Sequence, residues 1–194
     1  MDTMIDTIGS MIVAGLVVLA VMRMNVSLSE TGSNTNVEVI TQEDLTSIAD
    51  DIVYDFYKIG YRASPPIIFA DTSAITFLAD MHRDGNVDTV HYSLSLPISS
   101  SGLNPNMRVL YRVINSNPAA GASLGLTGFN LSYYDSTGTQ ITIPASGTTS
   151  QSILSKIKSI KVQVMVQSPT KTDSAYAGSY WEEFISPKNL RTLM

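Results

Sequence analysis

MIVAGLVVLAVM, residues 11–22, holds no charged or polar side chain. Met4, Ile5, Ile8, Gly9 and Ser10 lie ahead of it and extend the span to about twenty residues. As a helix that is about 30 Å, the thickness of a bilayer's hydrocarbon core. The stretch is apolar on every side, so it does not read as a surface helix of a globular domain. It belongs in lipid or in a bundle of similar helices. Everything after it reads as a soluble domain carried on that stem, and this division decides the rest.

Two carboxylates open the stem, Asp2 and Asp6. A negative charge near a helix N-terminus is favoured by the macrodipole. Asp6, inside the apolar approach, would cost several kcal/mol if unpaired there. Either it sits in a headgroup layer or it meets a positive group on another copy of the chain. Acid before the span and Arg23 after it predict a helix with its N-terminus outside, or a chain from which a basic leader has been removed.

Of the 194 residues, about 165 remain beyond the stem, enough for one well-buried core. The expected divisions are an apolar helix at 1–25, a connection at 26–40 and a head at 41–194. A net charge of −5 argues against a nucleic-acid partner. With no cysteine there is no disulfide, thiolate metal site or Cys nucleophile.

The run Thr31-Gly-Ser-Asn-Thr-Asn36 is poor in helix formers and predicts a weakened, extended or kinked connection within 26–38. Helix resumes with Thr41 as N-cap and Asp44 as a capping-box acid. Leu45, Ile48, Ile52, Phe56 and Ile59 recur at spacings of three and four and give one buried face. Asp50, Asp51, Asp55 and Lys58 mark the wet face. Gly60 is placed to end the helix, and Pro65-Pro66 blocks any continuation.

The period then changes to two. Strands are predicted at 67–69, 74–79, 87–96, 108–114, 126–134, 139–143, 158–167 and 180–185, with a helical turn at 152–157. Loops rich in Pro, Gly, Ser and Asn fall at 97–106, 115–123, 144–152 and 168–179. Short connections imply an antiparallel sheet, and the stripe 45–59 is its natural cover. The expected fold is α+β, a long helix whose first half is apolar and whose second half packs on that sheet.

Candidate chemistry is sparse. Asp80, His82, Asp84, Gly85, Asn86 and Asp88 have the alternate spacing of a calcium loop, but His91 stands where a bidentate Glu belongs. A hairpin turn built on Asp84-Gly85 is the favoured reading. His82 and His91 have no evident nucleophile beside them. Asn25 and Asn130 each begin an Asn-x-Ser triplet, a glycosylation acceptor that recurs by chance. Tyr180, Trp181 and Phe184 read as core or subunit contacts, with an exposed aromatic platform as the alternative. Phosphate loop, dinucleotide fingerprint and nucleophile elbow are all missing from the sequence, so no enzyme and no cofactor is expected.

The chain resembles the type IV pilins and type II secretion pseudopilins. Thr3-Met-Ile-Asp6 stands where that family has a Thr-Leu-Ile-Glu type motif, and Gly15 falls nine residues after the acid, as the family's glycine does. Closest are the PilW-like minor pilins and J-type pseudopilins. Their helix end is similar to Glu43–Tyr61, and their hairpin to residues 75–80 with 84–90. The two strands after it are similar to 109–113 and 128–135, and the C-terminal end to Ser186-Pro-Lys-Asn-Leu190. Arg23 occupies the register of the family's kinking proline.

The resemblance implies a structural subunit of a pilus-like filament. Such a subunit waits in the inner membrane and is moved by assembly machinery into a bundle of its own copies on the cell surface. It assigns assembly to Thr3, Asp6, Gly9 and Gly15, with Asp6 in place of the Glu that neutralises a neighbour's terminal amine. A membrane-anchored or filament-tip subunit that binds a ligand through its loops is the alternative.

Overall fold

The computed structural model describes residues 2–98, 103–115, 117, 120–122, 125–171 and 175–191. The chain divides into two compact units, Met1–Val39 and Ile40–Met194. The first is helical throughout its described residues, and its helix α1 (Asp2–Tyr57) ends in the second unit.

The backbone through 26–38 is therefore helical, where the sequence predicts a weakened, extended or kinked connection. That stretch has no proline to remove a hydrogen bond, and Gly32 takes no left-handed φ. Thr31 and Thr35 donate their hydroxyls to the carbonyls of Ser27 and Thr31, at 2.8 and 2.9 Å. Groups that usually compete for the backbone are thus engaged one turn back inside the helix. Thr41 is accordingly no cap; it lies within α1 and is buried.

In the second unit α1 buries the expected stripe: Leu45, Ile48, Ile52, Phe56 and Ile59 are all core residues. Past Tyr57 the chain tightens into turns, and Gly60 takes a φ of 74°. A side chain there would meet the Pro66 ring at 2.8 Å, so both conformation and space call for glycine.

Two antiparallel sheets follow, where the sequence predicts one. The first is β1 (Ile67–Ala70), β2 (Ala74–Ala79), β3 (Asp88–Leu94), β4 (Leu110–Ile114) and β5 (Ala120–Ala122), in that spatial order. The second contains β6 (Leu126–Tyr134), β7 (Gln140–Ile141), β8 (Ser159–Gln167) and β9 (Gly178–Ile185), ordered β7-β6-β8-β9. Between β7 and β8 lies the helical turn α2 (Gln151–Leu154), and α3 (Lys188–Arg191) follows β9. Strand β5 and α3 have no counterpart in the sequence reading. β5 is three small residues, Ala-Gly-Ala, too short and too weak in β formers to stand out.

Alternation decides which way each strand faces. Ile75, Phe77 and Ala79 of β2 and Val90 and Tyr92 of β3 turn inward, and Phe56 meets the rings of Phe77 and Tyr92 edge-on at 5.9 and 5.6 Å. Leu126, Phe129, Leu131 and Tyr133 of β6 and Ile160, Val162, Val164 and Val166 of β8 do the same for the second sheet. All belong to one core cluster. The sheets are also tied by backbone bonds: Leu131 N–H donates to Thr72 O, and Arg108 N–H to Leu126 O, both at 2.7 Å. Two sheets and the end of a helix around one core make the second unit a mixed α+β domain.

Candidate functional site: an exposed apolar helix

From Met4 to Leu28 every described large apolar side chain is exposed, by 52 to 74 %. The span Asp6–Gly32 is long and apolar enough to cross a membrane, and none of it is buried. Length and composition suit such a helix to anchor the chain in a membrane, and they equally suit a signal sequence. Burying a Val, Leu, Ile or Met contributes about 1.5–3 kcal/mol. Left in water, the span forgoes on the order of 20 kcal/mol.

Asp6 is exposed, as are Gly9 and Gly15, and an added Cβ at either glycine would meet nothing within 4 Å. The side chain of Thr3 lies outside those described. At 100° per residue, positions 3, 6 and 9 fall along one side of the helix, whereas Gly15, nine residues past Asp6, falls on the opposite side. The four residues assigned to assembly thus do not share one face. Ser10 donates its hydroxyl to Thr7 O at 2.9 Å. Among the described residues no ion pair engages Asp6 or Arg23.

The polar groups of the second unit are mostly committed to holding it together. Asp55, expected on the wet face of α1, is 1 % exposed. Arg112 clasps it with two nitrogens, Nε on Oδ2 at 2.5 Å and Nη2 on Oδ1 at 3.0 Å, and Tyr92 donates its hydroxyl to Oδ2 at 2.6 Å. The guanidinium is held charged by its bonds to Asp55. Burial first, and then the neighbouring carboxylate, push the Tyr92 phenol far up. The Asp55 carboxylate is thus committed to three hydrogen bonds within the fold.

The sequence carried a sign of it. Asp55 is three residues from Ile52 and four from Ile59, on the apolar stripe, and Arg112 alternates with Leu110 and Ile114. A lone acid on one stripe facing a lone base on another is the pattern of an internal pair.

The connection 80–87 joins the antiparallel pair β2 and β3 and contains Asp84-Gly85. Asp80, fully buried, accepts from the N–H groups of Asp84 and Gly85 at 3.1 and 3.2 Å and from Arg62 at 3.2 Å. Asp88 accepts from Met81 N–H at 2.9 Å, from His82 Nδ1 and from the Asn115 amide. Burial alone would raise the Asp88 carboxyl, but these hydrogen bonds, led by Asn115, hold it below its ordinary value. The carboxylates that suggest a calcium loop are here the acceptors that shape a turn. Among the described residues no three His, Asp or Glu are grouped to hold a metal. His82 and His91 have separate partners, Asp88 and Thr76.

The outer face of the second sheet is different in kind. Tyr180, Phe184 and Met165 are exposed there by 52, 51 and 43 %, and Phe184 lies against Tyr134 with ring centres 5.1 Å apart. Between them Glu182 accepts from Lys161 and Gln163 at 3.0 Å and from Tyr180. The Tyr180 hydroxyl and then the other donors hold the Glu182 carboxyl down at about 2. Asn130 donates to Gln163 at 2.9 Å on the same face. Trp181 points the other way and packs, partly buried, against the core. Loops 97–106, 115–123 and 168–179 lie partly outside the described residues.

Neither the known protein families, nor characterised proteins, nor solved structures offer a match to this chain.

Proposed function

We propose that the chain is a structural subunit of a pilus-like extracellular filament, built by packing its N-terminal helix among copies of itself after a stage in the membrane. One observation carries the reading: an apolar helix exposed on all sides over the span Asp6–Gly32. Moving such a helix from lipid into a protein bundle keeps its surface out of water, so no large hydrophobic term opposes the transfer. Gly9, Ser10, Ala14, Gly15 and Ala20 allow helices to approach closely. The resemblance of residues 3–15 to a pilin N-terminus points the same way. A closed, hydrogen-bonded set of charges in the second unit supports a building block over a catalyst.

The test is assembly. Full-length protein is purified in detergent, the detergent is removed, and the product is viewed by electron microscopy and sedimented. Uniform filaments lost on deletion of residues 1–25 are the expected result. A dispersed monomer without detergent or lipid overturns the reading.

A second reading, a membrane-anchored or filament-tip binding module, draws on the outer face of the second sheet. Tyr180 and Phe184 stand exposed on one strand beside the amides of Asn130 and Gln163. Abundance separates the two, since a main subunit dominates sheared surface material and a tip subunit is a trace of it.

A further inference from the structure

We propose that the second unit binds an acidic sugar in the cavity where the ends of β6 and β9 and the start of β8 meet α3. The site lies wholly within that unit, so it does not depend on the filament reading. It rests on the second, binding reading and gives it a ligand class. The cavity, of about 530 Å³, is lined by the turn 135–138, by Lys158 and Ser159 where β8 begins, by Phe184 and Ser186, and by Arg191 of α3.

Two cations on its wall have no counter-ion. The ion pairs among the described residues engage Arg62, His82, Arg112 and Lys161. Lys158 and Arg191 are in none of them, and among the described residues neither side chain has a hydrogen-bond partner. Each directly follows a residue that fixes its backbone, Ile157 and Leu190, both 1 % exposed. Lys158 N–H also donates to Tyr134 O at 2.8 Å. The carboxylate on the wall, Asp135, is turned into its own loop. Its Oδ1 accepts from the Thr137 hydroxyl and N–H at 2.7 and 2.8 Å and from Thr139 N–H at 3.0 Å. Those bonds, led by the Thr137 hydroxyl, hold the Asp135 carboxyl below its ordinary value. It stays charged, and the wall keeps one positive charge in excess.

The rest of the wall is what a sugar ring needs. The half-exposed Phe184 ring, braced by Tyr134, offers an apolar face to the C–H side of a pyranose. Ser159 is 5 % exposed, and its hydroxyl has no partner among the described residues. Ser136 and Ser186 supply further hydroxyls. Arg and Lys together suit a carboxylate. An inorganic anion leaves the ring unused, and a neutral sugar leaves the cations unpaired. A lipid chain finds too little apolar wall. A sugar that carries a carboxylate uses every part.

The same chemistry continues along the outer face of the sheet. Tyr180 stands four residues before Phe184 on β9, about 13 Å away, and is likewise half-exposed. Between them lies the amide row of Asn130 and Gln163, pinned by its own hydrogen bonds. Further units of an oligosaccharide follow this row, with Tyr180 as the second stacking ring.

The test applies full-length protein in detergent to a printed array of acidic and neutral oligosaccharides, with bound glycans then titrated by calorimetry. Glycans bearing uronic or sialic acid should bind about tenfold more tightly than neutral counterparts of the same linkage. Lys158→Gln and Arg191→Gln should each weaken binding about tenfold at an unchanged melting temperature, and Phe184→Ala about fivefold. Tyr180→Ala should weaken a trisaccharide and spare the monosaccharide. Failure to retain any acidic glycan, or equal retention by the K158Q/R191Q double variant, overturns the site. Retention of neutral glycans alone overturns it and leaves the binding reading standing. Displacement of the sugar by equimolar inorganic phosphate or poly-glutamate marks a general anion site and overturns the sugar assignment. The filament reading is untouched by all of these outcomes.

Discussion

Asp55 and Arg112, fifty-seven positions apart in sequence, form a two-pronged ion pair beneath the end of α1, and the Tyr92 hydroxyl completes the shell around the carboxylate. Removing the base strands a buried charge. Arg112→Ala should lower stability by about 2–4 kcal/mol, the usual cost of breaking a buried pair discounted for the exposed third of the Arg112 side chain. Asp55→Leu combined with Arg112→Met should recover most of that loss, since apolar groups of similar size need no partner. Urea unfolding of the full-length protein in detergent, followed by tryptophan fluorescence, measures all three. Equal losses in the single and double variants would show that packing, and not the stranded charge, sets the cost.

Asn115, just past β4, is bonded to the start of β3 and gives a cleaner separation of backbone from side chain. Asn115 holds a φ of 51°, donates its amide to Asp88 and accepts from Thr89 N–H at 2.8 Å. Asn115→Gly keeps the left-handed backbone and loses both bonds, which predicts a loss of about 1–3 kcal/mol. Asn115→Ala loses the bonds and adds strain at positive φ, a further 1 kcal/mol or so. Thermal unfolding should therefore rank the native chain first, Asn115→Gly second and Asn115→Ala last. A reversed order of the two variants refutes the strain argument.

Acid should weaken the second unit in two steps. His91 is pushed below its ordinary value by burial, so the unfolded chain binds its proton first as the pH falls through 6.5. That contribution is whole above pH 6.5 and declines as the pH falls through the lower, folded value. Glu182 is held at about 2, so its contribution is whole above the unfolded carboxylate range and is lost as the pH falls from about 4.5 through about 2. Asp88, also depressed, loses its share in the same acid window. Stability measured from pH 8 to pH 2 should fall in both windows, and His91→Gln should flatten only the upper one. A variant whose upper slope is unchanged removes His91 as its source.

The stripe 45–59 and most strands of the second unit were legible because their burial follows simple periods. Ile160, Val162, Val164 and Val166 needed nothing but alternation. What escaped depended on partners distant in sequence. Asp55 reads as a surface acid until Arg112 is placed beside it. Nothing in the alternation of β6 or β8 says that they leave the first sheet and pair with each other. The stretch 26–38 misled because its residues are poor helix formers on average, yet here it is helical, with the hydroxyls of Thr31 and Thr35 bonded one turn back. Asp6 and Gly15 are nine residues apart in sequence, and at 100° per residue α1 sets them on opposite sides of the helix.

The apolar span itself separates anchor from signal. If it is an anchor, intact-mass measurement of the protein extracted from membranes should retain residues 1–25, and the chain should resist alkaline carbonate. A mature form that begins beyond residue 25 and is freely soluble would identify the span as a removed signal and end the filament reading.

On the proposed filament reading, Asp6 bears most directly on assembly. A carboxylate near one end of the span can remain in the headgroup layer, so insertion into a bilayer does not depend on it; apolar length supplies that. A bundle offers it no water, and a partner charge contributes there by several kcal/mol. Asp6→Ala should thus leave the membrane-bound fraction unchanged while lowering the yield of sedimentable filaments at least tenfold. Asp6→Glu keeps the charge on a stem one methylene longer and should retain most of the yield. Gly15 sits on the far side of the helix from Asp6, so Gly15→Ala tests a different contact. Were Asp6→Ala to form filaments in normal yield, the charge would play no part in how stems recognise one another, and close packing of apolar surface would have to suffice.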